Sequence, residues 1–234
     1  SYSMQSFVEG YRELGPEYSQ VPERPDLTES FSAWNRNRGR REVEEAMGGL
    51  ELHRALREVS DDLSLIVRGI FRAMADAWAP GHPELRFYNG TYIQLNYYEP
   101  SQHDAELLQD SHEDAHLLTL AKSNAPGLEI EVDGKYVPAG SDGNEIVFMP
   151  GSLLSLMTGY KIKPGYHQVR NTHRRDPRSA LLLFVNPETD QKLEPWIRNE
   201  RAKVDRMAPR GMRSVTGTAL RGGRARGRSP AAAG

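Results

Sequence analysis

The chain of 234 residues has no cysteine. Disulfide frameworks, thiolate metal sites and cysteine nucleophiles are therefore excluded. Long apolar runs are missing as well. The longest, Ala180–Val185 and Ile146–Met149, fall far short of the ~18–20 residues that cross a bilayer. The opening Ser-Tyr-Ser-Met has no basic region followed by an apolar stretch, so it does not read as a secretory signal. No Gly-rich phosphate loop, no alternating strand–helix units and no internal repeat occur. Charge of one sign is not in excess overall, with a net of −2. The balance is uneven, however: Ala208–Gly234 holds six arginines and no acid, leaving a net of −8 on the first 207 residues. An acidic body does not suit a nucleic-acid binder. The tail lacks large apolar side chains and is expected to be disordered. A soluble cytoplasmic protein follows, with a small-molecule partner, no membrane and no nucleic acid; the oligomeric state is not legible.

What is present begins with helices. Phe7, Val8, Tyr11 and Leu14 recur at helical spacing and predict a short helix over Gln5–Leu14. Asn35–Gly49 reads as a surface connection. Leu63, Ile66, Val67, Ile70, Phe71, Met74 and Trp78 make an apolar stripe that predicts a long helix over Glu51–Trp78, ended by Pro80-Gly81. The character then changes. Tyr92–Tyr98 alternates, with Thr91, Ile93, Leu95 and Tyr97 on one face and Tyr92, Gln94, Asn96 and Tyr98 on the other. Short strands are expected over Leu117–Leu120, Leu128–Val132, Tyr136–Val137, Glu145–Met149, Ser152–Met157, Tyr166–Arg170 and Ala180–Asn186, separated by turn residues. Pro195–Met207 reads as a closing helix. The expected organisation is a helical support region over 1–85, a β core over 86–190, a C-terminal helix over 191–207 and a disordered tail over 208–234. The fold class is mainly β, a barrel or sandwich braced by helices.

Two of the seven histidines carry the chemical argument. His112-Glu113-Asp114 places an imidazole and a carboxylate two residues apart, on one face of an extended chain. His167, from a distant strand, completes a set of two histidines and one carboxylate. That set leaves positions of an octahedral metal open, as in non-haem Fe(II) oxygenases; zinc suits it less well.

The spacing and the surrounding text add a resemblance. Leu95–Pro100 (LNYYEP), SHEDAHLLTL, GLEIEVDGKYVPAG, VFMPGSLLSLMTGYKIKPGYHQV and RSALLLFVNP come in the order and spacing of motifs in one family, and DLTESFSAW resembles part of its N-terminal helical region. From about Phe87 to Pro187 the chain resembles the isopenicillin-N-synthase-like branch of the Fe(II)/2-oxoglutarate-dependent dioxygenases. The resemblance implies a double-stranded β-helix (a cupin-like jelly roll) with Fe(II) in its mouth, 2-oxoglutarate as cosubstrate and O₂ as oxidant. It implies His112, Asp114 and His167 as metal ligands. Arg178 becomes the clamp for the distal carboxylate of 2-oxoglutarate, with Tyr98 beside it and Asn96 nearer the metal. The register to Phe184 and Pro187 selects Arg178 over Arg170, Arg174 and Arg175. The implied activity is oxidation of a small organic substrate by hydroxylation, desaturation or cyclisation, in the setting of bacterial natural-product biosynthesis.

The departures from the pattern are informative. Ala180 stands where the family has a serine, removing one hydroxyl contact to the cosubstrate, worth about 1 kcal/mol. His116 replaces a glycine after the metal aspartate and becomes a candidate substrate contact. The family's opening strand region is not recognisable, and the Glu99–Ser111 loop reads as a candidate lid. Two alternatives stay open: an oxidase of the same fold that uses no 2-oxoglutarate, which Ala180 favours, and a non-catalytic jelly-roll binding protein.

Overall fold

The computed structural model describes residues 9–15, 17–99, 105–140, 144–172 and 175–198. β1 (Gly10–Arg12) and β2 (Glu29–Trp34) come first, followed by a 3₁₀ turn at Asn35–Asn37, α1 (Arg41–Met47) and α2 (Glu51–Trp78). A second 3₁₀ turn, Tyr88–Gly90, leads into β3 (Tyr92–Tyr98), β4 (Leu107–His112), β5 (Leu118–Ser123), β6 (Leu128–Val132) and β7 (Lys135–Pro138). β8 (Val147–Pro150), α3 (Ser152–Met157), β9 (His167–Arg170) and β10 (Arg178–Val185) complete the order. Among the described residues no helix is long and apolar enough to cross a membrane.

The strands form two antiparallel sheets, ordered β1-β2-β3-β10-β5-β8 and β4-β9-β6-β7. Neighbours in each sheet are mostly distant in sequence, the winding of a double-stranded β-helix. The core lies on the outer face of the larger sheet. Ile93, Leu183, Leu120 and Val185 pack there against Leu56, Val67 and Phe71 of α2 and against Leu153, Leu154 and Met157 of α3. Each such side chain, fully buried, contributes about 1.5–3 kcal/mol. The inner face of the same sheet, with Gln94, Asn96 and Tyr98, looks into a cavity. Alternation on β3 thus separates a packing face from a polar, cavity-lining one.

α2 has the bounds its periodicity predicts, but its buried line runs through His53, Leu56, Ser60, Ser64, Val67 and Phe71. Ile66, placed on the stripe by sequence, is half exposed, and Leu65 more so. The helix turns its stripe to meet a sheet whose position local sequence does not specify.

Several expectations are corrected. Gly10–Arg12 is a strand, not part of a helix: it pairs with β2 from Gly10↔Ser32 to Arg12↔Ser30. Tyr11 and Leu14, two members of the supposed stripe, are exposed. DLTESFSAW does not begin a helical segment; its second half is β2, paired with β3, so the support region opens with strands after all. Asn35–Gly49 is more than a connection, since Asn35, Asn37, Val43 and Met47 are buried. Ser152–Met157 is a helix, not a strand; six residues are too few for a period to separate the two in sequence. The Glu99–Ser111 loop ends in β4, so its second half is not a lid; residues 100–104 lie outside the described residues. Of the closing helix, only 195–198 are described, and they are irregular; 199–207 and the tail lie outside the described residues.

Glu9 ties the opening segment to the helices. Its buried carboxylate accepts from the Trp34 amide at 3.0 Å and from Asn37 Nδ2 at 2.8 Å, and meets His53 Nε2 at 2.8 Å. A buried carboxylate needs such a full set of partners.

Candidate active site

β4 and β9 bring two imidazoles together because His112 and His167 are directly opposite each other in the ladder. Their ring centroids are 4.3 Å apart. Asp114 follows β4 by two residues and turns its carboxylate between them. His112 Nε2 is 3.7 Å from Asp114 Oδ1, and His167 Nε2 is 4.0 Å from Asp114 Oδ2. One ligand atom from each of the three lies within 4.8 Å of the others.

The tautomers follow from the partners. His112 Nδ1 donates to the Asp110 carbonyl at 2.8 Å and His167 Nδ1 to the Gly165 carbonyl at 2.9 Å. A carbonyl only accepts, so Nδ1 carries the proton in both rings and Nε2 presents its lone pair toward Asp114. This is the arrangement by which a protein orients metal-binding histidines. Thr119 Oγ1, reaching across from β5, donates to Asp114 Oδ2 at 2.6 Å.

The charges fit a cation. Burial pushes the Asp114 carboxyl upward, but His167, His116, His112 and the Thr119 hydroxyl outweigh it and hold it below its ordinary value. Burial lowers His167, against the pull of Asp114, so its ring stays neutral. An ionised carboxylate and neutral imidazoles are the protonation states that bind a divalent metal. Two imidazole nitrogens and one carboxylate oxygen, on one side of a cavity of about 480 Å³, therefore fit an Fe(II) ion with open positions.

A second group of polar residues lines the same cavity on β3 and β10. Arg178 pairs with Tyr98 across the ladder, and Ala180 with Asn96. Arg178 is 6 % exposed, its guanidinium lies 4.9 Å over the Tyr98 ring, and Nε donates to the Pro126 carbonyl at 3.2 Å. Burial lowers its pKa, with Tyr98 opposing. Nη1 is buried without a hydrogen-bond partner among the described residues. An orphaned guanidinium nitrogen is costly unless an anion meets it. Gly127 makes room for this arm: a Cβ there would crowd Arg178, and its φ of +132° disfavours other residues.

A chain of side-chain hydrogen bonds runs along the inner face of β3. Arg12 Nη2 donates to Gln94 Oε1 at 2.7 Å, and Ser32 Oγ donates to the same oxygen at 2.9 Å. Gln94 Nε2 donates to Asn96 Oδ1 at 2.7 Å, and Asn96 Nδ2 to the Tyr98 hydroxyl at 3.4 Å. Arginine has no acceptor, so the direction of every amide in the chain is dictated from its Arg12 end. The Tyr98 oxygen accepts from Asn96, and its own proton remains available beside Arg178.

His116, expected to face substrate, lines the cavity with its ring 4.9 Å from Phe184 and edge-on to Tyr92. Its Nδ1 meets Asn186 Oδ1 at 2.7 Å. Gly151 passes so close to the His116 carbonyl that a Cβ would overlap it. Burial and the Asp114 charge hold the Tyr92 phenol protonated, far above its ordinary range. Ala180 faces the cavity and is 4 % exposed, so the missing hydroxyl is missing where the cosubstrate was expected.

Sequence reasoning missed Thr119, Gln94 and Arg12. Gln94 carried a signal, sharing its alternation face with Asn96 and Tyr98. Thr119 carried a weak one, a polar residue inside an apolar run. Arg12 carried none, since its segment reads as a helix.

Comparisons with known proteins agree with this geometry. Residues 90–187 match the 2OG-Fe(II) oxygenase superfamily. The 2-oxoglutarate-dependent dioxygenase AOP3 of Arabidopsis thaliana is 33% identical over 87 residues, 36% of this chain and 21% of that protein. The match thus spans about a fifth of that relative's length. A full-length Neurospora crassa protein, solved in complex with alpha-KG, is similar at a TM-score of 0.64 and 19% identity, over 86% of this chain and 69% of that one. AtDAO1, the dioxygenase for auxin oxidation 1 from Arabidopsis thaliana, solved with 2-oxoglutarate, is similar at 0.67 and 15% identity, over 85% and 76%. At these identities the structural likeness establishes the jelly-roll fold. Over β3 to β10 the chain is similar to the 2OG-Fe(II) oxygenase superfamily.

Proposed function

We propose that the chain is an Fe(II)- and 2-oxoglutarate-dependent oxygenase acting on a small organic substrate. The observation that carries this reading is the pairing of two features on opposite walls of one cavity. One is the His112–Asp114–His167 cluster, with both Nε2 lone pairs turned inward. The other is a buried guanidinium whose Nη1 has no partner among the described residues.

His112, Asp114 and His167 would hold the iron, which with bound 2-oxoglutarate supplies the oxidising power for attack on an unactivated C–H bond. Arg178 meets the distal carboxylate of the keto acid with charge-assisted hydrogen bonds. Tyr98 donates a hydrogen bond from its hydroxyl to that carboxylate. Asn96 has one amide hydrogen left over from Tyr98 and directs it into the cavity. His116, with Nδ1 committed to Asn186, offers Nε2 to substrate. Phe184, Met149 and Leu182 supply an apolar wall that excludes water from the reacting groups. Hydroxylation, desaturation and ring closure all remain within reach of such a site, because the outcome depends on where the substrate sits.

The test is anaerobic calorimetry of Mn(II) and then 2-oxoglutarate on the full chain, followed by succinate assay with Fe(II) and air. Both should bind, and succinate should form. Arg178→Ala should raise the 2-oxoglutarate requirement about tenfold or more, as expected for loss of a charge-assisted pair. Failure to bind Mn(II) would overturn the reading in favour of a non-catalytic jelly roll. The inward-facing Ala180 favours one competing reading, an oxidase without 2-oxoglutarate; substrate oxidation with no succinate would establish it.

A further inference from the structure

Arg12 is a second guanidinium in the wall of the cavity, and nothing in the reading above uses it. It stands on β1 in an inward-facing row that continues through Ser30 and Asn96 to Ala180. Its Nη2 is held by Ser32 and Gln94. Its Nη1 pairs with Glu17. Its Nε is buried with no hydrogen-bond partner among the described residues. The guanidinium is therefore held through Nη2 by the sheet and through Nη1 by Glu17. Glu17 is an uneven match for it: that carboxylate is 39 % exposed at the rim of the cavity, where an ion pair is worth little.

We propose that Arg12 is a specificity-determining residue that binds a carboxylate of the organic substrate, taking it in exchange for Glu17. The proposal rests on the oxygenase reading of the site. In that reading Arg178 is occupied by the cosubstrate, so a second anion in the cavity needs a second cation. A neutral substrate could not replace the charge of Glu17 on Nη1. A carboxylate matches the planar guanidinium and takes the Nη1 hydrogens that Glu17 releases. The anchored group would lie near the metal ligands, since the Tyr92 hydroxyl feels the charges of both Arg12 and Asp114. Phe184, Leu182 and Met149 leave the rest of the cavity apolar, which suits a carboxylic acid with an aromatic or aliphatic body.

The experiment loads the full chain with Mn(II) and 2-oxoglutarate without oxygen. Proton NMR then follows Mn(II)-induced relaxation of 2-oxoglutarate and of two matched probes, phenylacetate and its neutral isostere phenylacetamide. Wild type should relax 2-oxoglutarate and should bind phenylacetate about tenfold or more tightly than the amide, the range expected for one charge-assisted pair. Arg12→Gln should erase that preference while still relaxing 2-oxoglutarate. Glu17→Gln, which leaves the guanidinium in place, should tighten phenylacetate several-fold. Relaxed 2-oxoglutarate with no phenylacetate binding, with equal binding of both probes, or with an Arg12→Gln protein that keeps the preference, overturns the assignment of Arg12 alone. If 2-oxoglutarate is not relaxed in wild type, the oxygenase reading falls and this proposal falls with it.

Discussion

β3 and β10 pair in unbroken register over seven aligned residues, from Tyr98↔Arg178 to Tyr92↔Phe184. β4 and β9, on the opposite wall of the cavity, align at only three positions, with register shifts on either side of Gln109. The two walls are built for different tasks. The larger sheet has its outer face sealed by α2 and α3, and that packing holds buried Arg178, Tyr98, Asn96 and Gln94 in one continuous row. A buried guanidinium is tolerated only on a platform that cannot relax away from it. Among the described residues no helix seals the smaller sheet in the same way, and Val132 and Val137 are exposed. Its irregular pairing re-aims a side chain, as bulges beside sites commonly do, and leaves His112 directly opposite His167. In the proposed function the regularly paired wall is the floor that would take the anion, and the irregularly paired wall is the clasp that would take the cation.

The sharpest way to break that contrast is to cut the clasp. Asp114→Ala should weaken Mn(II) binding on the order of a thousandfold, in proportion to one ligand's share of a metal site, with a thermal melt close to wild type. A collapse of the melt would mean that the clasp also carries the fold. The floor is tested by Leu183→Ala, whose side chain is fully buried between β3 and β5. It should cost about 2–5 kcal/mol of stability in denaturant titration while Mn(II) affinity in the folded protein is kept. Thr119→Val cuts the hydroxyl bond that reaches from floor to clasp. It should lower Mn(II) affinity about 10–100-fold, as loss of an outer-shell partner does, with little change in stability. An unchanged affinity would make the two walls independent.

The smallest expected effect is a pH dependence. Burial lowers His167 in the folded protein below the ordinary histidine value. The unfolded chain then binds more protons than the folded one between the two values. The contribution of His167 to the stability of the metal-free protein is complete above the ordinary value and is lost as pH falls toward the folded one. An NMR titration of the metal-free chain should place the His167 midpoint below ~6.5. A midpoint above it would mean that Asp114 outweighs burial.

Legibility followed length and period. α2 could be read to its ends because 28 residues give the periodic signal many turns to accumulate. β3 could be read because alternation sorted Ile93 and Leu95 from Gln94, Asn96 and Tyr98. β1, at three residues, and α3, at six, are too short for any period, and both were misassigned. Arg12 was lost with β1, and with it a charged residue of the cavity wall.

Residue chemistry and spacing alone named a histidine–carboxylate pair at His112 and Asp114 and a distant imidazole at His167, while the arginine aligned with Phe184 came from the family resemblance. They also excluded thiol chemistry and membrane-spanning helices from the outset. Only the tertiary structure decided that β4 and β9 lie opposite one another, that both Nδ1 protons go to carbonyls, and that the cavity has a second guanidinium beside Gln94. The reason is that side-chain type is local, whereas convergence depends on strand register, and register is settled by which faces can be buried together.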